Sequence, residues 1–154
     1  MGRIFDAMRA FFDSDDWKYT LLEERPTLQL GFSGEHANWN CFAQAREQHE
    51  QMVFYSLSPM NVPAERRAAV AEFMTRANYG LVIGNLEMDY ADGEVRFKTS
   101  IDAEGVPLDP QLVRQVVYPN VLTFDRYLKG LLAVAFGAQE PLAALNAIEG
   151  GFDA

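Results

Sequence analysis

Apolar residues recur along this chain with two different periods. Near the N-terminus Ile4, Phe5, Met8, Phe11 and Phe12 share one helical face, while Arg3, Asp6, Arg9 and Asp13 point away from it. The period then falls to two. Leu28, Leu30 and Phe32 alternate with Thr27, Gln29 and Gly31, and Trp39, Cys41, Ala43 and Ala45 alternate with Asn40, Phe42 and Gln44. Each run predicts a strand, the second spanning 38–46. The polar run 47–51 turns the chain, and "MVFYSLS" predicts a third strand. A helix follows, with Asn61 as a cap, Pro63 in its first turn and Glu65 near its positive end. Its stripe is Val70, Phe73, Met74 and Ala77, and Gly80 ends it.

A hairpin is predicted over 81–101. Asp92-Gly93 is the pair that a two-residue type I′ turn requires. With that turn, Tyr90 faces Val95 and Met88 faces Phe97 on one side, while Asp89 faces Arg96 and Glu87 faces Lys98 on the other. Such opposite-charge pairs contribute roughly 0.2–1 kcal/mol each, and a slip of one residue would turn them into the core. The charges of this stretch therefore read as the wet side of a hairpin.

Asp109-Pro110 caps a further helix carrying Val113, Val116 and Val117. Pro119 is expected to interrupt it, and Asn120 to cap a continuation that Gly137 closes. There Val121, Phe124, Tyr127, Leu128, Leu131, Leu132, Val134 and Ala135 fill an arc wider than the ~100° of a surface helix. Either the chain's own tail or a second subunit must cover it. A last short helix is predicted over 141–148. The expected class is α+β: one domain over 1–154, a five-stranded antiparallel sheet with helices packed on it, in the order α-β-β-β-α-β-β-α plus the short tail helix.

Parity supplies one functional hint. Phe42 and Tyr55 fall on the side opposite to Trp39/Cys41 and Met52/Phe54, so both faces of the sheet carry apolar surface. A sheet covered on one face only does not need that. Phe42 and Tyr55, with Tyr127 and Leu131 of the over-wide arc, are the candidate partner-binding residues.

Composition narrows the partner. The 154 residues carry a net charge of −9, which repels phosphate backbones and anionic membranes. The longest apolar run, 131–136, is far too short to span a bilayer. One cysteine, Cys41, excludes an internal disulfide and suits a reducing compartment. The first sixteen residues place acids within their apolar part, unlike a signal peptide, so the expected location is the cytoplasm.

Catalytic and metal-binding patterns are missing. In the acid run Asp13–Asp16, a calcium loop starting at Asp13 would need glycine where Lys18 stands, so a solvated helix end is expected. His36 and His49 are the two histidines, and neither has zinc-ligand spacing. "GFSG" lacks the nucleophile-elbow pattern at Ser33. Cys41 alternates with core residues and reads as a small buried hydrophobe. The glycines at 80 and 84 lack the phosphate-loop lysine. No catalytic residue, cofactor or metal is expected.

The stretch "ANYGLVIGNLEMDYADGEVRFKTSI", followed by a long helix containing "DRY", resembles the YbjN family of bacterial proteins, labelled sensory transduction regulators. With "FFDSDDW" and "NWNCFAQAREQHEQMVFYS", nearly the whole chain resembles the family's cyanobacterial branch, and Pro119 departs from it. The resemblance implies a fold similar to type III secretion chaperones, which are small, acidic and commonly dimeric and hold extended peptides. It implies a regulatory or peptide-binding role and transfers no catalytic residue. The leading expectation is a non-enzymatic adaptor for a protein or peptide client. The alternatives are a structural homodimer without a client, and last a small-ligand binder or enzyme.

Overall fold

The computed structural model describes residues 2–150. Helix α1 (Arg3–Ser14) buries Ile4, Phe5, Met8, Phe11 and Phe12, the residues whose spacing predicted it. Gly2 has no side chain to cap this helix, and the cap comes from a distance. Glu47 accepts the backbone N–H groups of Ile4 and Phe5 at 3.2 and 2.7 Å, the placement that a helix N-terminus favours for a carboxylate.

The strands are β1 (Tyr19–Leu22), β2 (Thr27–Ser33), β3 (Asn38–Arg46), β4 (Gln51–Leu57), β5 (Asn85–Asp89) and β6 (Glu94–Asp102). They form one antiparallel sheet in the order β1-β2-β3-β4-β6-β5. The sheet has six strands where five were expected. The additional strand is β1, a four-residue edge, YTLL, with large apolar side chains on both parities and hence no alternation to read.

The β5–β6 hairpin keeps the predicted faces but not the predicted turn. Asp89 pairs with Glu94, Met88 with Val95 and Glu87 with Arg96, a shift of two residues that leaves the face of each side chain unchanged. The loop is wider because other parts of the chain hold it. Arg67 donates to the carbonyls of Val62, Tyr90 and Ala91, and Val62 N–H donates to Gly93 O at 2.8 Å. Asp89 Oδ1 accepts from Ala91 N–H at 2.9 Å, an Asx turn that competes with type I′ geometry. Tyr90, expected to face the core, is exposed.

Helix α2 (Arg67–Gly80) buries the four predicted residues Val70, Phe73, Met74 and Ala77. Asn61 does not cap it, and donates from Nδ2 to Asp92 O instead. Helix α3 (Pro110–Ala135) begins at its predicted cap, with Asp109 Oδ1 accepting from Leu112 N–H at 2.9 Å. It then runs unbroken through Pro119, against expectation. Proline withholds a donor and loosens the preceding turn. Thr99 of β6 supplies a bond there, its Oγ1–H donating to Val116 O at 2.7 Å. The helix ends as predicted at Gly137, whose φ is 77°. Gly137 N–H donates to Val134 O and Ala138 N–H to Ala133 O, a Schellman pair.

Helices α1, α2 and α3 pack on one face of the sheet, and α4 (Pro141–Glu149) lies over α2 and α3. Rings mark the core: Phe12 against Phe54, and Phe124 against Trp39 and Phe97. Among the described residues no helix packs on the opposite face of the sheet.

Candidate functional site

The uncovered face is organised by a row that crosses all six strands. Thr20 stands opposite Gln29, Gln29 opposite Phe42, Phe42 opposite Tyr55, Tyr55 opposite Lys98, and Lys98 opposite Asn85. Phe42 and Tyr55 are thus direct cross-strand neighbours, each half-buried, with Val53 beside them. The Arg96 guanidinium lies 4.2 Å above the Tyr55 ring, a cation–π contact. Glu87 accepts from Arg96 Nε and Lys98 Nζ, both at 2.8 Å. Burial pushes the Glu87 carboxyl up, and the Lys98 and Arg96 bonds outweigh it and hold the group below the usual carboxylate range. The surface is an apolar pair beside a cluster in which one carboxylate, Glu87, bridges two cations, Arg96 and Lys98.

Tyr127 and Leu131 are not part of it. They lie inside, 2 % and 1 % exposed. Helix α4 is the cover that the wide arc on α3 called for. Tyr127 O–H donates to Glu149 Oε2 at 2.7 Å, and burial together with this bond pushes its phenol up to about 12. Gly130 of α3 has Ile148 and Phe73 packed against the space where a Cβ would stand. The arc's width was readable in sequence, but which element fills it depends on the path of the tail.

A second apolar surface escaped the sequence reading. Tyr79, Val82 and Ile83 stand out beside edge strand β5, with Tyr79 96 % and Val82 92 % exposed. Residues 81–84, read as strand, form a loop. The two glycines flanking "LVI" were the available signal.

At the far end of β2 and β3 lies a groove of about 890 Å³ with Trp17, Phe32, Trp39 and Tyr118 in its wall. Trp17 stacks on Phe32 at 5.9 Å between ring centres and meets Tyr118 edge-on at 6.1 Å. Asp15 ties these parts together. Its Oδ2 accepts from Tyr118 O–H at 2.5 Å and from Trp17 Nε1–H at 3.0 Å, and Arg114 lies 3.6 Å from Oδ1. The acid run expected to be a solvated helix end therefore turns one carboxylate inward. Asp16, the next residue, adopts a left-handed φ of 58°.

The Tyr118 bond foremost, with Trp17 and Arg114, holds the Asp15 carboxyl below its ordinary value, although burial opposes this. The group is lower in the folded than in the unfolded chain. Its contribution is thus present above the unfolded value of about 3.9 and is lost as pH falls through the folded one. Asp15→Asn should lower stability at pH 7 by about 1–2 kcal/mol. The difference from wild type in thermal melts should shrink as pH falls below about 4, and a pH-independent difference contradicts the assignment.

Cys41 is buried as expected, and burial raises its thiol to about 11, with the Ser56 hydroxyl and the nearby Trp39 indole opposing. Among the described residues the Trp39 N–H has no partner of hydrogen-bond geometry. Beneath the groove Cys41 Sγ contacts Ser56 Oγ at 3.6 Å, and Ser56 Oγ–H donates to Asn120 Oδ1 at 2.6 Å. Asn120 Nδ2 lies 3.0 Å from Phe54 O, 3.0 Å from Phe97 O and 3.1 Å from Thr99 Oγ1. Asn120 is thus the fully buried hub between α3 and the sheet rather than a helix cap.

The model of a family described as "Putative bacterial sensory transduction regulator", YbjN, matches residues 5–118. The chain belongs to the YbjN family. The crystal structure of YbjN from E. coli is similar, with a TM-score of 0.63 and 11% identity over 86% of this chain and 92% of that one. The likeness extends to the fold alone. The structure of the HopA1–SchA chaperone–effector complex aligns with a TM-score of 0.48 and 14% identity, over 80% of this chain and 92% of that one. No curated protein matches the sequence. The open-face pair and the groove fall inside the YbjN match, which stops one residue before Pro119. The second half of α3, with the "DRY" run, and α4 lie beyond it.

Proposed function

We propose that this YbjN-family protein is a non-enzymatic, cytoplasmic adaptor that docks a segment of a partner protein on the open face of its sheet. The observation carrying this reading is the Phe42–Tyr55 pair, apolar side chains side by side on a face that no helix covers among the described residues. Burial of one such ring is worth about 1.5–3 kcal/mol, enough to anchor a segment when its neighbours supply polar contacts. Arg96, Lys98 and Glu87 border the pair and suit a polar rim. A binding role without catalysis is supported by a thiol that is buried and protonated and by perturbed carboxylates that are already paired.

A second reading is self-association, favoured by Tyr79, Val82 and Ile83 standing exposed beside an edge strand. One pair of measurements separates the two. The double variant Phe42→Asp/Tyr55→Asp should keep the wild-type far-ultraviolet spectrum and lose at least about tenfold of the partner cross-linked by wild type in lysate, as expected for removal of an interface anchor. Sedimentation of both proteins at several concentrations shows whether that partner is a second copy. Undiminished cross-linking by the double variant removes the open face from the account.

A further inference from the structure

The strand pairing comes apart where the groove lies. β2 and β3 remain paired as far as Ser33 opposite Asn38, whereas β3 and β4 part after Cys41 opposite Ser56. β4 continues instead beside β6, with Leu57 opposite Arg96 and Ser58 N–H donating to Val95 O at 2.8 Å. Asn38, Trp39 and Asn40 therefore pair through β2 alone, and their flank toward β4 opens on the groove of about 890 Å³. A strand flank without a neighbour offers main-chain donors and acceptors at strand spacing, which an extended chain satisfies and a compact solute does not.

The side chains around the split add two requirements. Trp17, Phe32 and Tyr118 are all part-exposed in the wall, so an apolar or aromatic side chain has rings to lie against. Asp16 and Lys18 line the mouth beside Asp15, which Arg114 already pairs, so the pull on a basic segment comes from the net charge of −9 of the whole protein.

We infer that the split between β3 and β4 receives a short, extended, basic strand of a protein partner, with an apolar side chain seated among Trp17, Phe32 and Tyr118. The inference rests on the protein-binding reading above but not on the open face, which is a separate surface.

The protein reports on this groove by itself, because its two tryptophans, Trp17 and Trp39, both line it. The probe is a library of acetylated hexapeptides in which Lys, Arg or Gln alternates with Phe, Leu or Val. It is added to the full chain while the two indole N–H resonances and intrinsic fluorescence are followed. Saturable shifts of both indoles are expected, with at least about tenfold weaker binding when backbone amides are N-methylated or the basic positions are replaced by Glu. Gly31 lines the groove, and nothing among the described residues lies within 4 Å of where its Cβ would stand, so Gly31→Lys should fold normally and still lose the binding. Silent indoles across the library at about 1 mM, or N-methylated peptides that bind as well as their parents, overturn the inference. If the peptides fail while Phe42→Asp/Tyr55→Asp still abolishes cross-linking, the groove falls and the open face stands. The converse result removes the open face alone.

Discussion

Replacing Asn120 with alanine is expected to lower the stability of this protein by about 3–5 kcal/mol, a large share of what holds a domain of this size together. The residue is fully buried, accepts from Ser56 Oγ–H, and shares the two N–H bonds of Nδ2 among Phe54 O, Phe97 O and Thr99 Oγ1. Each partner left without a bond in a dry interior costs about 1–3 kcal/mol, and the vacated volume adds to that. Asn120→Leu fills the volume but abandons the same groups, so it should be nearly as damaging. Ser56→Ala removes one member and should cost only about 1 kcal/mol. Urea unfolding of the three variants gives the ranking. A loss below about 1 kcal/mol for Asn120→Ala means that the hub does not hold α3 to the sheet.

The second large effect concerns α4. Truncation after Glu140 should leave a folded protein that binds the dye ANS strongly, where the full chain binds it weakly. Leu145 and Ala144 are buried in the contact, Ile148 packs on Gly130, and Tyr127 and Leu131 lie beneath. Loss of this burial is partly offset by the conformational freedom that the nine helical residues regain, and the net effect should be a fall in Tm of roughly 2–10 °C. Gly130→Leu should mimic the truncation by pushing Ile148 away while the chain stays complete. Unchanged dye binding in both proteins would mean that α4 does not cover the arc on α3.

The long α3 also explains how a proline is accommodated in mid-helix. Pro119 removes one main-chain bond, the Thr99 hydroxyl adds one at Val116 O, and Asn120 anchors the next residue to two strands. The sheet thus holds the helix through the turn that its own sequence weakens. Thr99 and Asn120 are far apart in the chain, and nothing local to either residue announces the partnership.

Much of the framework was legible because it depends on local periodicity. The buried faces of α1, α2, β2 and β3 follow from period 3.6 or period 2, and the Asp109 cap and the Gly137 stop are short-range devices. Phe42 and Tyr55 were placed on one face by parity alone. The strand β1 was missed because an edge of four residues with mixed parity has no periodic signature. The hairpin turn was misjudged because Arg67 and Val62, from another element, hold a loop wider than Asp92-Gly93 would adopt alone.

Alternation and helical spacing, which are properties of neighbouring residues, determined by themselves the class of the fold and the face that the side chains occupy in every strand but β1. Only the tertiary structure decided that α4 covers Tyr127 and Leu131, that Asn120 joins a helix to two strands, and that β3 and β4 separate beside Trp39. These features arise from contacts between segments distant in the chain. Their energies depend on which surfaces meet, and a one-dimensional pattern records what each segment must bury but not what buries it.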